Sequence, residues 1–63
     1  MDIFERAKRN QLRGYIRKLG KLCGEEESFV EEYATDVIET WKNDLEKAIQ
    51  CFKNQVYLKE TYG

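Results

Sequence analysis

The sequence predicts an all-α fold, arranged as an antiparallel helical hairpin that assembles into a homodimeric bundle. Apolar residues recur at steps of three and four along most of the chain, the spacing that places side chains on one face of an α-helix. The 63 residues include no proline and only four glycines. Hydrophobic residues make up 41% of the chain and charged residues 37%, which fits a helical bundle better than a β domain or a disordered segment.

The first predicted helix covers about residues 2–22. Asp2 lies at its start, where the helix dipole favours acidic side chains, and Lys21 lies in its last turn, where the dipole favours cations. Gly20 or Gly24 can take the left-handed conformation that commonly ends a helix. The apolar stripe of this helix is narrow and comprises Phe4, Leu12, Tyr15, Ile16, Leu19 and Leu22. We therefore expect the helix to depend on packing for its order.

A turn over residues 23–27 leads into a long amphipathic helix over about residues 28–61. Ser28 and Glu31 have the spacing of a capping box, in which each side chain bonds to a backbone N–H at the helix start. The apolar stripe comprises Val30, Ala34, Val37, Ile38, Trp41, Leu45, Ala48, Ile49, Phe52 and Val56. The apolar set from Tyr33 through Ile49 covers roughly 160° of the helix surface, more than the ~100° that one neighbouring helix requires. We therefore expect two contact surfaces on this helix.

The unequal lengths of the two helices predict a homodimer. At about 1.5 Å per residue the first helix is roughly 31 Å long and the second roughly 51 Å, so ~20 Å of the second helix has no partner in its own chain. Leaving large apolar side chains of this overhang in water forgoes about 1.5 to 3 kcal/mol each, so we expect a second chain to cover them in a two-fold dimer. The predicted dimer interface comprises Trp41, Leu45, Ala48, Ile49, Phe52 and Val56.

One signal favours a different architecture. Asn43 and Asp44, followed by Glu46, can cap a third helix, although the apolar stripe passes through them without a change of phase. A break near Asn43 would give a compact three-helix monomer, which is the alternative to the hairpin dimer. In either architecture we expect a single domain over residues 1–63, near the lower size limit of domains that fold alone.

Charge is distributed unevenly along the chain, although the net charge is only −1. Residues 2–22 include seven basic and two acidic residues, a net charge of +5, whereas residues 25–46 include one basic and nine acidic residues, a net charge of −8. An acidic row on the second helix comprises Glu32, Asp36, Glu39 and Glu46. We expect a dipolar molecule with one basic and one acidic surface.

A basic row on the first helix is the candidate surface for binding a partner. It comprises Arg6, Arg9, Arg13, Arg17 and Lys21, spaced three or four residues apart. The planar guanidinium group suits phosphate and carboxylate, so the row predicts an acidic protein surface or a nucleic acid as the partner. An ordinary solvated helix face has the same pattern. No aromatic residues are interleaved for base stacking, and the second helix opens with glutamates, which disfavours a helix-turn-helix.

The sequence predicts no enzyme, metal site or cofactor site. The chain contains no histidine, so no imidazole base is present to activate a serine or cysteine, and a transition-metal site of ordinary composition is not expected. Cys23 beside the turn is a candidate reactive thiol, whereas we expect Cys51 to be a small buried apolar residue.

The expected location is a reducing cytoplasm. Two cysteines are too few for a disulfide scaffold, and no apolar N-terminal segment resembles an export signal. No run approaches the ~18 apolar residues of a membrane span. The first helix has neither a tryptophan nor a broad apolar patch with which to lie on a membrane surface, so no membrane partner is expected.

The opening of the chain, from Met1-Asp2-Ile3-Phe4 through Arg9, together with its small size, resembles the short early proteins that lambdoid phages encode between their exonuclease and excisionase genes. The resemblance covers the whole chain. It implies a small accessory modulator of the lysis or lysogeny decision that acts in the bacterial cytoplasm. That group has no catalytic motif, so the resemblance assigns no role to any single residue.

Two classes of function follow. The first is a dimeric, non-enzymatic interaction module that binds a host or phage regulatory protein through a charged face or the end of the bundle. The second is a nucleic-acid-binding protein that uses the face formed by Arg6, Arg9, Arg13 and Arg17. We expect the first class, because the strongly acidic segment repels a polyanion and the net charge provides no attraction.

Overall fold

A computed structural model describes residues 2–63, which form three α-helices and no strand. The helices are α1 (Ile3–Leu22), α2 (Glu27–Thr40) and α3 (Leu45–Tyr62). Two short turns reverse the chain twice, so α1 and α3 run in the same direction. Lys8 accordingly pairs with Glu46 near the start of α3, and Lys18 pairs with Glu60 near its end. The prediction of an all-α fold is confirmed for the described residues.

Hydrogen bonds define both ends of the first helix. The Asp2 carboxylate accepts a hydrogen bond from the Phe4 N–H at 3.1 Å, which caps the start of α1. Gly24 has a φ of 74°, so Gly24 is the glycine that takes the left-handed position. The Glu25 N–H donates to the Gly20 carbonyl at 2.9 Å and the Gly24 N–H to the Lys21 carbonyl at 3.1 Å. This pair of bonds is a Schellman motif, which satisfies carbonyl groups at the end of the helix.

Gly20 has a different role, because it lies inside α1 where Val30 of α2 packs against it. A Cβ atom added at Gly20 would overlap the side chain of Val30 on α2, whereas a Cβ at Gly14 would meet only open space. The absence of a side chain at Gly20 therefore lets the two helices approach each other.

The start of α2 differs from the prediction. The helix begins at Glu27, after Glu26 as its N-cap residue, and no side chain bonds to the free N–H groups there. The Schellman motif brings the chain into α2 one residue earlier than expected, so Ser28 lies inside the first helical turn and the predicted Ser28–Glu31 capping box does not form.

The predicted continuous helix over residues 28–61 is wrong. The chain leaves the helix after Thr40, turns over residues 41–44 and starts α3 at Leu45. The Asp44 carboxylate accepts the Lys47 N–H at 3.4 Å, and the Asp44 N–H donates to the Trp41 carbonyl at 2.7 Å. The three-helix alternative with a break near Asn43 fits this structure.

The break lets the chain cover its own apolar residues. The buried apolar core comprises Leu12, Ile16, Val30, Ala34, Val37, Ile38, Leu45, Ala48, Phe52 and Val56. Four residues assigned to the dimer interface, Leu45, Ala48, Phe52 and Val56, belong to this core, and Trp41 and Ile49 are half-buried against it. The overhang that predicted these contacts between chains does not exist, because α3 folds back onto α1.

Candidate protein-docking groove

An open groove lies where α2 and α3 move apart. The first helix packs along both other helices, whereas α2 and α3 approach each other little. Away from the turn at residues 41–44, the space between them is bordered by two adjoining cavities of ≈150 and ≈450 Å³, both lined by Leu19 and Cys23. Leu19, inside α1, and Cys23, at the C-terminal end of α1, form the floor of this space. We call this feature the groove.

Large apolar side chains form the two walls of the groove. Phe29 and Tyr33 line it from α2, and Leu58 and Tyr62 line it from α3. These four side chains are between 46% and 80% exposed. Because contiguous exposed apolar surface on a small protein marks a site of interaction, the groove is the strongest candidate for a functional site.

The α2 wall is ordered by stacking of aromatic rings. Phe29 and Tyr33 lie one helical turn apart with their rings nearly parallel, the ring centres 6.4 Å apart. Tyr33 also meets the buried ring of Phe52 edge to face, with a centre-to-centre distance of 6.4 Å. The exposed wall is therefore held by a direct contact with the core, and a partner would meet a preformed surface.

The charged residues beside the α2 wall are acidic. Glu25 lines the smaller cavity together with Phe29 and Tyr33. Asp36 lies three residues after Tyr33 and seven after Phe29, which places it on the same side of the helix. Glu32 lies farther out, and all three carboxylates are on exposed residues. The α2 wall therefore presents negative charge along its length.

The charged residues beside the α3 wall are basic. Lys59 lines the larger cavity with Leu58 and Tyr62. Lys47 lies eleven residues before Leu58, on the same side of the helix, and its ammonium group is 3.7 Å from the Asp44 carboxylate at the turn. The acidic residues Glu46 and Glu60 lie on the other edge of α3, where each forms an ion pair with a lysine of α1. Among the described residues, the two walls thus carry opposite charges.

The predicted basic row borders the contact between α1 and α2 and is largely paired. The Glu31 carboxylate accepts hydrogen bonds from Arg13, at 3.0 Å, and from Arg17. Arg9 pairs with Glu5 at 3.1 Å. Arg6 and Lys21, the other two members of the row, are exposed.

Both guanidinium groups influence the ionisation of Glu31. The hydrogen bond from Arg17 is the largest cause that lowers the pKa of Glu31, and Arg13 lowers it further by a hydrogen bond and by its charge. The same hydrogen bond raises the pKa of Arg17. Glu31 does not belong to the acidic row that the sequence indicated, because it lies on the side of α2 that faces α1. The four residues of that row, Glu32, Asp36, Glu39 and Glu46, are exposed.

The two cysteines are both free and exposed. Cys23 lies on the floor of the groove, where it lines both cavities. Cys51 was expected to be buried; this expectation is wrong, because the residue lies on the exposed side of α3, with its sulfur 3.8 Å from the Gln55 amide. Over residues 2–63 no cluster of three or more Cys, Asp or Glu side chains is placed to hold a metal ion.

The walls of the groove were not identified as a site from the sequence. Phe29 and Tyr33 are spaced four residues apart, as are Leu58 and Tyr62, but both pairs lie beside the main apolar stripe. Their spacing is the signal that could have identified them, since an apolar pair beside a stripe widens the face that a helix must cover.

No known protein family, curated protein or solved structure matches this chain. No helix described over residues 2–63 is long and apolar enough to cross a membrane.

Proposed function

We propose that this protein is a small, non-enzymatic protein-interaction module, and the groove is the observation that carries this proposal. Four large apolar side chains stand exposed on its walls, although the fold covers all the other apolar positions of α2 and most of those of α3. Covering apolar surface contributes about 25 cal/mol per Å², so a protein that fills the groove gains free energy without having to order the chain first.

A second copy of the chain is the first partner that we propose. A homodimer that closes over the groove would cover the exposed apolar surface of both copies at once, and two-fold dimers are the commonest closed assemblies. In this dimer the interface is formed by the walls of the groove, and the predicted interface residues of α3 remain in the core of each copy.

Sedimentation velocity at micromolar concentration tests the dimer. We expect the parent protein to sediment as a dimer and a Leu58→Ser, Tyr62→Ser double variant as a monomer with unchanged helicity. Tyr57→Ser is the matched control: Tyr57 is adjacent to Leu58 and 64% exposed, but it lines neither cavity of the groove, so this variant should stay dimeric. A monomeric parent protein would overturn the proposal of a homodimer.

A host or phage regulatory protein is the second partner that we propose, bound in the bacterial cytoplasm by the end of the bundle opposite the groove. Ile3 and Phe4 are 81% and 75% exposed there, and Phe4 borders a cavity of ≈220 Å³ that is lined by both acidic and basic residues, Asp2, Glu5, Lys8 and Lys42. Exposed apolar residues at this end suit an amphipathic segment of another protein.

Affinity capture with immobilised variants tests this second contact. The partner should bind the parent protein and the Tyr57→Ser control and should be absent from an Ile3→Ser, Phe4→Ser variant. Equal capture by all three proteins would show that this end of the bundle does not carry the interaction.

Nucleic-acid binding receives less support from the geometry. Arg9, Arg13 and Arg17 are each committed to a carboxylate of the same chain. A phosphate would have to displace Glu31 or Glu5 before it could contact these guanidinium groups, so the basic row offers less free charge than the sequence indicated.

A further inference from the structure

The opposite charges of the two walls restrict how a second copy can close over the groove. Glu25 and Asp36 lie beside the α2 wall, and Lys47 and Lys59 lie beside the α3 wall. A two-fold axis placed along the groove lays α2 of one copy on α3 of the other, and this contact occurs twice. An axis placed across the groove lays α2 on α2 and α3 on α3.

Only the first arrangement is electrostatically complementary. An axis along the groove brings each acidic wall against a basic wall, whereas an axis across the groove brings like charges together, which is unfavourable. The first arrangement also keeps the open ends of both grooves at the same level, so Phe29 and Tyr33 of one copy meet Leu58 and Tyr62 of its partner. The second arrangement would place the open end of one groove over the closed end of the other.

We infer that the charges on the walls of the groove select the pairing of the dimer, with the α2 wall of each copy docked on the α3 wall of the other. This inference rests on the homodimer of the proposed function. The four charged residues beside the groove set the orientation of the second copy, and the apolar walls supply most of the affinity.

A charge-swap experiment tests the pairing. One variant carries Glu25→Lys and Asp36→Lys, so that both of its walls are basic; the other carries Lys47→Glu and Lys59→Glu, so that both walls are acidic. Each variant alone should dimerise at least about tenfold more weakly than the parent protein, because every contact between walls becomes repulsive. An equimolar mixture should form a heterodimer of nearly parental affinity, because both of its α2–α3 contacts again join opposite charges.

Native mass spectrometry distinguishes the species, because the two variants differ in mass, and sedimentation gives their affinities. The control with the same net charge as the Lys47→Glu, Lys59→Glu variant is Lys42→Glu with Lys53→Glu: Lys42 lies beside the Phe4 cavity at the other end of the molecule, and Lys53 lies on α3 away from the groove. This control should dimerise like the parent protein, which separates a local effect from one of net charge. Circular dichroism checks that each variant is folded, and recovery in the mixture requires both variants to be folded.

The possible results separate the pairing from the dimer itself. Weak self-association of each variant followed by recovery in the mixture supports the α2–α3 pairing. A dimeric parent protein whose swapped variants keep their affinity, or do not recover on mixing, would overturn the pairing and leave the homodimer standing. A monomeric parent protein would overturn both. If the swapped variants unfold, the single changes Asp36→Lys and Lys47→Glu give the same comparison with smaller effects.

Discussion

The two ends of the contact between α2 and α3 differ, although the same two helices form both. Near the turn at residues 41–44, Ile38, Leu45 and Ala48 are buried, so the helices are closed over the core. Beyond the contact between Tyr33 and Phe52 the helices separate, and Phe29, Leu58 and Tyr62 stand in solvent. The short turn holds the helices together only at one end.

This difference separates the part of the molecule that forms the core from the part that leaves apolar side chains exposed. At the closed end the apolar residues of α2 and α3 belong to one core that they share with α1. At the open end α1 alone faces both helices, so Leu19 and Cys23 become the floor of a groove. Over residues 2–63 no fourth helix lies along the groove, so its apolar walls stay uncovered.

Phe52→Ala should have the largest effect, because the Phe52 ring lies where the closed end meets the open end. Truncation of a buried phenylalanine costs about 3 to 5 kcal/mol, which is a large share of the stability of a small domain. Thermal denaturation followed by circular dichroism should show a variant that is largely unfolded at 37 °C. The exposed Tyr57→Ala is its control and should melt like the parent protein. If Phe52→Ala also melted at the parental temperature, the closed end would not be the part that stabilises the fold.

Gly20→Ala should have the next largest effect on stability, because Gly20 lies at the contact between α1 and α2. The added methyl group overlaps the Val30 side chain, and overpacking of this kind costs about 1 to 3 kcal/mol. Gly14→Ala, in open space on the same helix, should instead stabilise the protein by about 1 kcal/mol. Urea denaturation of both variants gives the two values. Stabilisation by both substitutions would show that α2 can move away from α1 at little cost.

Protonation of Glu31 should have a smaller effect, confined to acid pH. Arg17 and Arg13 lower the pKa of Glu31 below its ordinary value of 4.5, so the folded state binds a proton less readily than the unfolded chain. The resulting stabilisation is fully present above about pH 4.5 and is lost as the pH falls through the lowered pKa of the folded state. Melting temperatures measured from pH 7 to pH 2 should therefore fall more steeply for the parent protein than for Glu31→Gln. Parallel pH profiles would show that the two arginines do not hold α2 onto α1.

Binding to duplex DNA should show the smallest effect. Each phosphate neutralised by a protein lowers the slope of log affinity against log salt by about 0.9, so a protein that engaged most of the basic row would show a steep dependence. We expect marginal affinity at physiological salt, measured by fluorescence anisotropy, and little further loss in Arg9→Ser, Arg13→Ser. Tight binding by the parent protein that disappears in this variant, with helicity unchanged, would favour the nucleic-acid class.

Local signals in the sequence identified much of the helical structure. Asp2 at the start of the first helix, Gly24 as one of two candidates for the left-handed position and the capping potential of Asp44 involve bonds to groups a few residues away, so the nearby sequence is enough to indicate them. The candidate surface was identified less well. The basic row is real, but its pairing with Glu31 joins residues 14 and 18 positions apart, and helix periodicity does not report such contacts.

The sequence by itself determined that the chain is helical, where its first helix lies and which residues are apolar enough to form a core, because propensity, capping and the 3.6-residue period act locally. Only the tertiary structure decided whether the second half is one helix or two. The apolar stripes of α2 and α3 both face α1, so the stripe crosses the turn in phase and does not reveal it. The groove also depends on the tertiary structure. The exposure of Phe29 and Tyr62 depends on the distance between α2 and α3, and this distance follows from the packing of all three helices.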